Sequence, residues 1–222
     1  LMQFLLAQGI RIRLHEKPDP EDFAAIMNDV SERPNKSLVQ TMLLRSQSLA
    51  VYRSENEGHF GLALDAYAHF TSPIRRYPDL LVHRALKHAI HGGKKKTYIY
   101  SDEEMERLAE HCSITERRAE EASRDVIQRL QCVYLQAHIG EVFTGMITGV
   151  PGFGMFVELD RVRVSGLVHI SSLPGDYYHF DPLHQKMVGE RRGKSFSLAQ
   201  KVRVKVMAVR VDERKIDLEL AP

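Results

Sequence analysis

Two arginines set between two prolines, in Thr71-Ser72-Pro73-Ile74-Arg75-Arg76-Tyr77-Pro78-Asp79, are the residues of this chain best placed to do chemistry. Reading Ser72 as an N-cap and Pro73 as the first helical residue, where a missing N–H costs nothing, puts Arg75 and Arg76 in or just after the first turn of a helix. Unpaired amides and the positive end of the helix dipole repel cations there, so the pair costs stability unless an anion offsets it. A phosphate suits two guanidinium groups. The competing reading is that both arginines reach into water or pair with a nearby acid such as Asp79.

A second chemical signal lies in Phe153-Gly154-Met155-Phe156-Val157. With Met155, Val157 and Leu159 on the inner face of a strand, Phe156 points outward beside Glu158. Two exposed rings next to glycines suit a stacked base. The alternative is that Phe153 closes the end of a barrel while a loop covers Phe156. In Lys201–Val211 the alternation turns Val202, Val204, Val206 and Ala208 inward and leaves Arg203 and Lys205 outward.

These signals must be held by two kinds of structure. Gly9 ends a first apolar segment, an irregular connection runs on to Lys17, and Asp19-Pro20 opens a helix with Phe23, Ile26, Met27 and Val30 on one face. Ser37 caps the next helix, with Leu38, Met42 and Leu49 toward a core. His59–Leu64 and Tyr67–Phe70 have the texture of buried strand, with His59 and His69 as hydrogen-bonded structural histidines rather than metal ligands. After the arginine motif Leu81, Ala85, Leu86, Ala89 and Ile90 continue a helix that Pro78 kinks or restarts. Lys94-Lys95-Lys96 follows in a loop.

Ser101–Glu104 is a capping box, and Ser113–Glu116 a second, so the apolar stripe from Met105 to Ala137 is one rod or two helices joined near His111. The other face of this segment carries Arg117, Arg118 and Arg124, the best phosphate candidates on it if it packs beside the arginine motif, and otherwise an ion-paired surface. From Gly140 the helical period gives way to short glycine-separated strands. The fold class is therefore α+β: a mainly helical part over residues 1–138, then a five-stranded barrel of OB type over 139–222, with the longest insertion between its third and fourth strands.

Net charge is only +2, split as 19 basic against 19 acidic residues through His138 and 12 against 10 beyond it, so any nucleic-acid binding rests on local patches. Cys112 and Cys132 lie too far apart on a continuous helix to bridge, and read as buried free thiols of a reducing cytoplasm. No apolar run reaches membrane-span length, and no signal peptide is recognisable. The opening Leu1-Met2, already inside an apolar helix, suggests a fragment of a longer polypeptide.

Gly145, the Phe153–Val157 run, Gly166-Leu167-Val168-His169-Ile170-Ser171 and Val202–Val206 resemble the S1 RNA-binding domain. That resemblance implies a single-stranded RNA face made of Phe153, Phe156, His169, Asp212 and Lys215. Gln40–Ser46, Gly58–Leu64, Tyr67–Phe70 with the arginine motif, and Glu116–Ala119 resemble the later half of the catalytic domain of RNase R and RNase II. The family implies a processive 3′ to 5′ exoribonuclease that releases 5′-mononucleotides with the help of two Mg²⁺ ions, with Arg75 on the scissile phosphate and Arg76 beside it. The family's aspartate cluster has no counterpart here, where Asp65, Asp79 and Asp125 stand apart. Mg²⁺ is thus expected in the full-length parent, with no metal site and no activity in this fragment. The alternative is a non-catalytic S1 protein whose helical part docks a partner such as a ribosome or rescue factor. A half-domain also invites self-association.

Overall fold

The computed structural model describes residues 1–12, 15 and 18–222; the connection expected from Ile10 to Lys17 lies partly outside these. The chain divides into two compact units that interleave along the sequence: Leu1–Arg13, Ala25–Ser46 and Ser123–Pro222 form one, Leu14–Ala24 and Gln47–Ala122 the other.

The first unit is built on a closed barrel. Its strands are β1 (Val142–Gly149), β2 (Gly154–Leu159), β3 (Ser165–His169), β7 (Lys201–Arg210) and β8 (Lys215–Leu220), hydrogen-bonded in the order β1-β2-β3-β8-β7 and back to β1. Closure leaves no open edge, and alternation fills the interior. Met155, Val157, Leu159, Val168, Val204 and Val206 are all fully buried. One inward assignment fails. A bulge between Val206 and Ala208 shifts the register, so Val209 opposes buried Ile216 and takes the core position, while Ala208 pairs with Asp217.

The insertion after β3 folds into a sheet of its own, β4 (Tyr178–Asp181), β5 (Lys186–Gly189) and β6 (Ser195–Ser197). Tyr178, Met187 and Phe196 share one face of it and join the barrel's core cluster. Strands of three or four residues carry too little alternation to be read from sequence.

The same unit holds α1 (Met2–Ala7), α3 (Lys36–Ser46) and the end of α5 (Asp102–Gln136). Cys132 and Leu135 of α5 enter the barrel's core cluster, and Gln131 Nε2 donates to the Arg163 carbonyl at 3.2 Å. The N-cap position of α3 falls to Asn35, and Ser37 lies inside the helix. Leu38, Val39 and Leu43 are buried, whereas Leu49 is exposed.

α5 is one rod of 35 residues, about 52 Å at 1.5 Å per residue. The Ser101–Glu104 capping box forms in both directions, at 2.8 and 3.2 Å. The second box does not open a helix. The Ser113 and Thr115 hydroxyls donate back to the Ala109 and His111 carbonyls, a use open to such residues inside a helix. Residues 116–130 are exposed throughout, including Val126 and Leu130, which the apolar stripe places toward a core.

The second unit contains the start of α2 (Pro20–Asp29), whose Asp19 cap exchanges hydrogen bonds with Asp22 at 2.9 and 3.1 Å. It also holds α4 (Tyr77–Ile90) and most of α5. The expected buried strand at 59–70 is instead a 3₁₀ turn, Phe60–Leu62, closed by one His59–Leu64 bridge. Phe60, Leu62, Leu64, Tyr67 and Phe70 are exposed, and among the described residues no other strand pairs with this segment. On α4, Leu81 is buried while Leu86 and Ile90 face out.

Candidate nucleic-acid interface

The arginine motif is a turn before a helix rather than the start of one. The Ser72 carbonyl accepts from the Arg75 and Arg76 amides, at 3.2 and 3.0 Å, with Pro73 pre-set for the bend. Arg76 is the N-cap in extended conformation, and α4 begins at Tyr77. Pro78 decides this. Its missing N–H and its ring would break a helix that started at Pro73, so the helix restarts with Pro78 in its first turn. The two arginines therefore stand just outside the helix end.

They also part company. Arg76 Nη2 donates to Asp79 Oδ1 at 2.8 Å, and the same oxygen accepts the Ser72 amide at 2.7 Å. Asp79 is fully buried and closes both ends of the turn. Burial pushes its carboxyl up, but the Ser72 amide and the Arg76 guanidinium outweigh that and hold it below the usual carboxylate value. Arg75 is exposed, and among the described residues its side chain has no hydrogen-bond or ion-pair partner. One arginine is spent on holding the turn, and the other is presented by it.

The surroundings of the clamp are polar and ordered. Tyr52 donates its hydroxyl to Glu116 of α5 at 2.6 Å and meets His69 Nδ1 at 2.9 Å, while its amide donates to Ser113 Oγ at 2.9 Å. Burial and Glu116 push the Tyr52 phenol far up, so it stays a donor. His59, Tyr67, His69 and Tyr52 form a run of edge-to-face rings with centroids 4.9, 5.7 and 5.3 Å apart. Both histidines act as structural, hydrogen-bonded groups, His59 accepting from the Leu62 amide. Arg117 and Arg118 follow Glu116 directly; with Arg124 they are exposed and unpaired among the described residues.

On the barrel, Phe153 and Phe156 are 51% and 39% exposed, their centroids 6.1 Å apart and their planes perpendicular, so neither plugs the barrel nor lies under a loop. Gly154 makes this possible. It pairs with His169 at φ +157°, and a Cβ there would sit 2.3 Å from the Val168 carbonyl oxygen. His169 shares that end of the β2–β3 pair, its Nδ1 2.8 Å from Ser171 Oγ.

Asp212 and Lys215 lie elsewhere on the outer surface. In the parallel β3–β8 pair Leu167 faces Asp217, so His169 and Lys215 are four residues apart along it, about 13 Å at 3.3 Å per residue. Asp212 is exposed in the turn before β8, and Lys215 pairs with Glu213 at 2.8 Å. Arg203 and Lys205 are exposed on β7, with Arg203 donating to the Pro222 carbonyl at 2.6 Å.

A residue the sequence reading missed is Arg45, in the last turn of α3. It donates to the Thr148 carbonyl at 2.6 Å, next to Gly149, which opposes Phe156 across β1–β2. A guanidinium from a distant stretch of chain thus stands beside the aromatic pair. Its sequence signals were a basic residue at a helix end and a place in the Gln40–Ser46 run, neither of which points to the barrel.

A metal site does not fit the arginine turn. Asp79 is committed to the clamp, and Asp125 pairs with Arg214 at 3.3 Å. Among the described residues only His15, Asp19 and Asp22 bring three ligand-type groups within 4.8 Å, and these carry the cap of α2.

The chain is similar to known proteins along its whole length. Residues 2–92 match the RNB domain and residues 136–221 the S1 RNA binding domain. Ribonuclease R of Vibrio cholerae is 50% identical over 98% of this chain, and that of Escherichia coli 50% over 96%. The chain spans 28% and 27% of the length of those two proteins. Its fold superposes on the apo form of Mycoplasma genitalium RNase R with a TM-score of 0.86 at 24% identity, over 99% of this chain and 35% of that one. It also matches yeast Ssd1, described as a pseudonuclease, with a TM-score of 0.61 at 21% identity, over 83% of this chain and 23% of that one.

Proposed function

The chain belongs, as a piece, to the ribonuclease R-like proteins that join an RNB domain to an S1 domain, and from this premise we propose that it serves a 3′ to 5′ exoribonuclease as phosphate-gripping turn and strand-feeding barrel. The observation that carries the reading is the unequal pair of arginines. Asp79 holds Arg76 and the turn, leaving Arg75 exposed with its guanidinium unpaired among the described residues. A planar fork offered by a rigid turn suits a phosphoryl oxygen on which charge grows during hydrolysis. Mg²⁺-assisted attack by water would need carboxylates from the rest of the parent, so no step is routed through a metal here. A cytoplasmic location follows from the same parentage.

The barrel's part is to hold single-stranded RNA. Phe153 and Phe156 offer stacking faces and His169 a polar edge, with Arg45, Arg203 and Lys205 supplying positive charge. The test is a titration of a fluorescent oligouridylate into the chain at several salt concentrations. Weak, salt-sensitive binding is expected. Replacing both Phe153 and Phe156 by alanine should weaken it by about 1–3 kcal/mol per base unstacked. Unchanged affinity would remove the barrel from the account.

A non-catalytic RNA-binding protein is the second reading, since the exposed rings of the barrel would serve binding alone. Fold cannot choose between the two, since the same architecture is found in a protein described as a pseudonuclease.

A further inference from the structure

The turn between β5 and β6 carries Glu190-Arg191-Arg192-Gly193-Lys194, and the residue before β4 is Tyr177, 71% exposed. One carboxylate ties these together. Asp176 accepts the Tyr177 amide at 2.8 Å, the Arg191 amide at 3.0 Å and the Arg192 amide at 2.8 Å. The Arg192 amide does most to hold Asp176 below the usual carboxylate value, against burial that pushes it up, so it is ionised at neutral pH. The fit is close: a Cβ on Gly189 would lie 2.6 Å from Asp176 Oδ2.

The backbone of the turn is locked to the start of β4 in a second way. The Glu190 amide donates to the Tyr177 carbonyl at 2.9 Å. The inner face of the same small sheet, through Tyr178, Met187 and Phe196, is part of the barrel's core. The outer side chains are therefore carried on a fixed mount. The Arg191 guanidinium lies 6.0 Å from the centre of the Tyr177 ring, and Arg192 is exposed beside it. Neither arginine has a side-chain ion-pair partner among the described residues. A lone aromatic in water, flanked by two unpaired guanidiniums, is an arrangement that barrel packing does not require.

We propose that Tyr177, Arg191 and Arg192 form a second contact for single-stranded RNA, separate from the Phe153–Phe156–His169 face, in which a base stacks on Tyr177 and the flanking phosphates pair with the two guanidiniums. The occupant follows from charge and shape together: Arg191, Arg192 and Lys194 outnumber Glu190 and Asp176, and the Asp176 carboxylate is turned to backbone amides, not to the guanidiniums. Arginine pairs phosphate through its fork and stacks on aromatic rings as well, so the three side chains can grip one strand at a base and at its backbone. The anchor orders the turn before RNA arrives, which lowers the entropy cost of binding.

This contact rests on the RNA-binding role of the barrel, and the two can fail separately. In the same oligouridylate titration, Arg191→Gln with Arg192→Gln should lower affinity several-fold and flatten the plot of log affinity against log salt by about 1.4, from about 0.7 per phosphate on a single strand. Tyr177→Ala should lower affinity while leaving that slope unchanged. All three side chains are exposed, so the melting transition should stay where it is. Wild-type affinity and wild-type slope in both variants would overturn the proposal while the barrel reading stands. Absence of RNA binding by the unaltered chain would overturn both.

Discussion

The arginine turn and the barrel face present groups outward by opposite means. The turn depends on one buried charge as well as on its own backbone: the Arg75 and Arg76 amides donate to the Ser72 carbonyl, and Asp79 adds a side-chain tie that joins the Ser72 amide to Arg76. The barrel face depends on closure. Every barrel strand is paired on both sides, and Phe156 stays where alternation puts it whatever its own chemistry, with Phe153 in the turn just before β2. The proposed catalytic contact, on a charged clamp, is thus most vulnerable at Asp79, whereas the proposed binding face on the barrel would lose affinity side chain by side chain.

Breaking the clamp should give the largest effect. Asp79→Ala leaves Arg76 without its partner and should destabilise the helical unit by about 3 kcal/mol, the low end for a broken buried pair because Arg76 remains 26% exposed. Chemical denaturation measures it. Phe156→Ala sharpens the contrast, since an exposed ring removed from the barrel should change stability by no more than about 0.5 kcal/mol. Equal losses in the two variants would erase the distinction.

The pH dependence is a finer probe. Because the folded Asp79 carboxyl titrates below the ordinary value of 3.8, its contribution is complete above that value and is lost as pH falls through the lower folded value. Stability of the helical unit should be insensitive to this group near neutrality and should drop below about pH 4. Asp79→Asn should remove that acid-side component. A clamp-dependent loss already visible at pH 6 would mean that another group controls the turn. Smallest is the expected change on β7, where Lys205→Gln should reduce the salt slope of RNA binding by about 0.7 and leave stability unchanged.

Legibility in the sequence follows the same division. The barrel announces itself because a period of two, repeated over strands of five to ten residues, has one reading; what escapes are the bulges after Ile147 and Val206, since a single extra residue shifts the pattern without marking itself. The small sheet escapes because its strands are too short to show a period. In the helical unit the arginines were visible but their roles were not. Pro73 and Pro78 both satisfy the rule for a helix start, and Pro78 settles which of them opens α4; which arginine is held and which is presented depends on the buried position of Asp79, a tertiary fact. Ser113 and Thr115 mislead in the same way: their hydroxyls cap or bond back according to context. Arg45 was hidden because its partner lies 103 residues away.

The claim that the two arginines differ in role is tested most directly by replacing each with lysine in a full-length ribonuclease R-like protein that carries this segment, and measuring hydrolysis and RNA affinity together. Lysine keeps the charge and loses the fork. Arg75→Lys should cut the hydrolytic rate by orders of magnitude with only a modest loss of affinity, which marks an interaction made in the transition state. Arg76→Lys should act mainly on stability. Hydrolysis by the Arg75→Lys protein at the rate of the unaltered one would contradict the account.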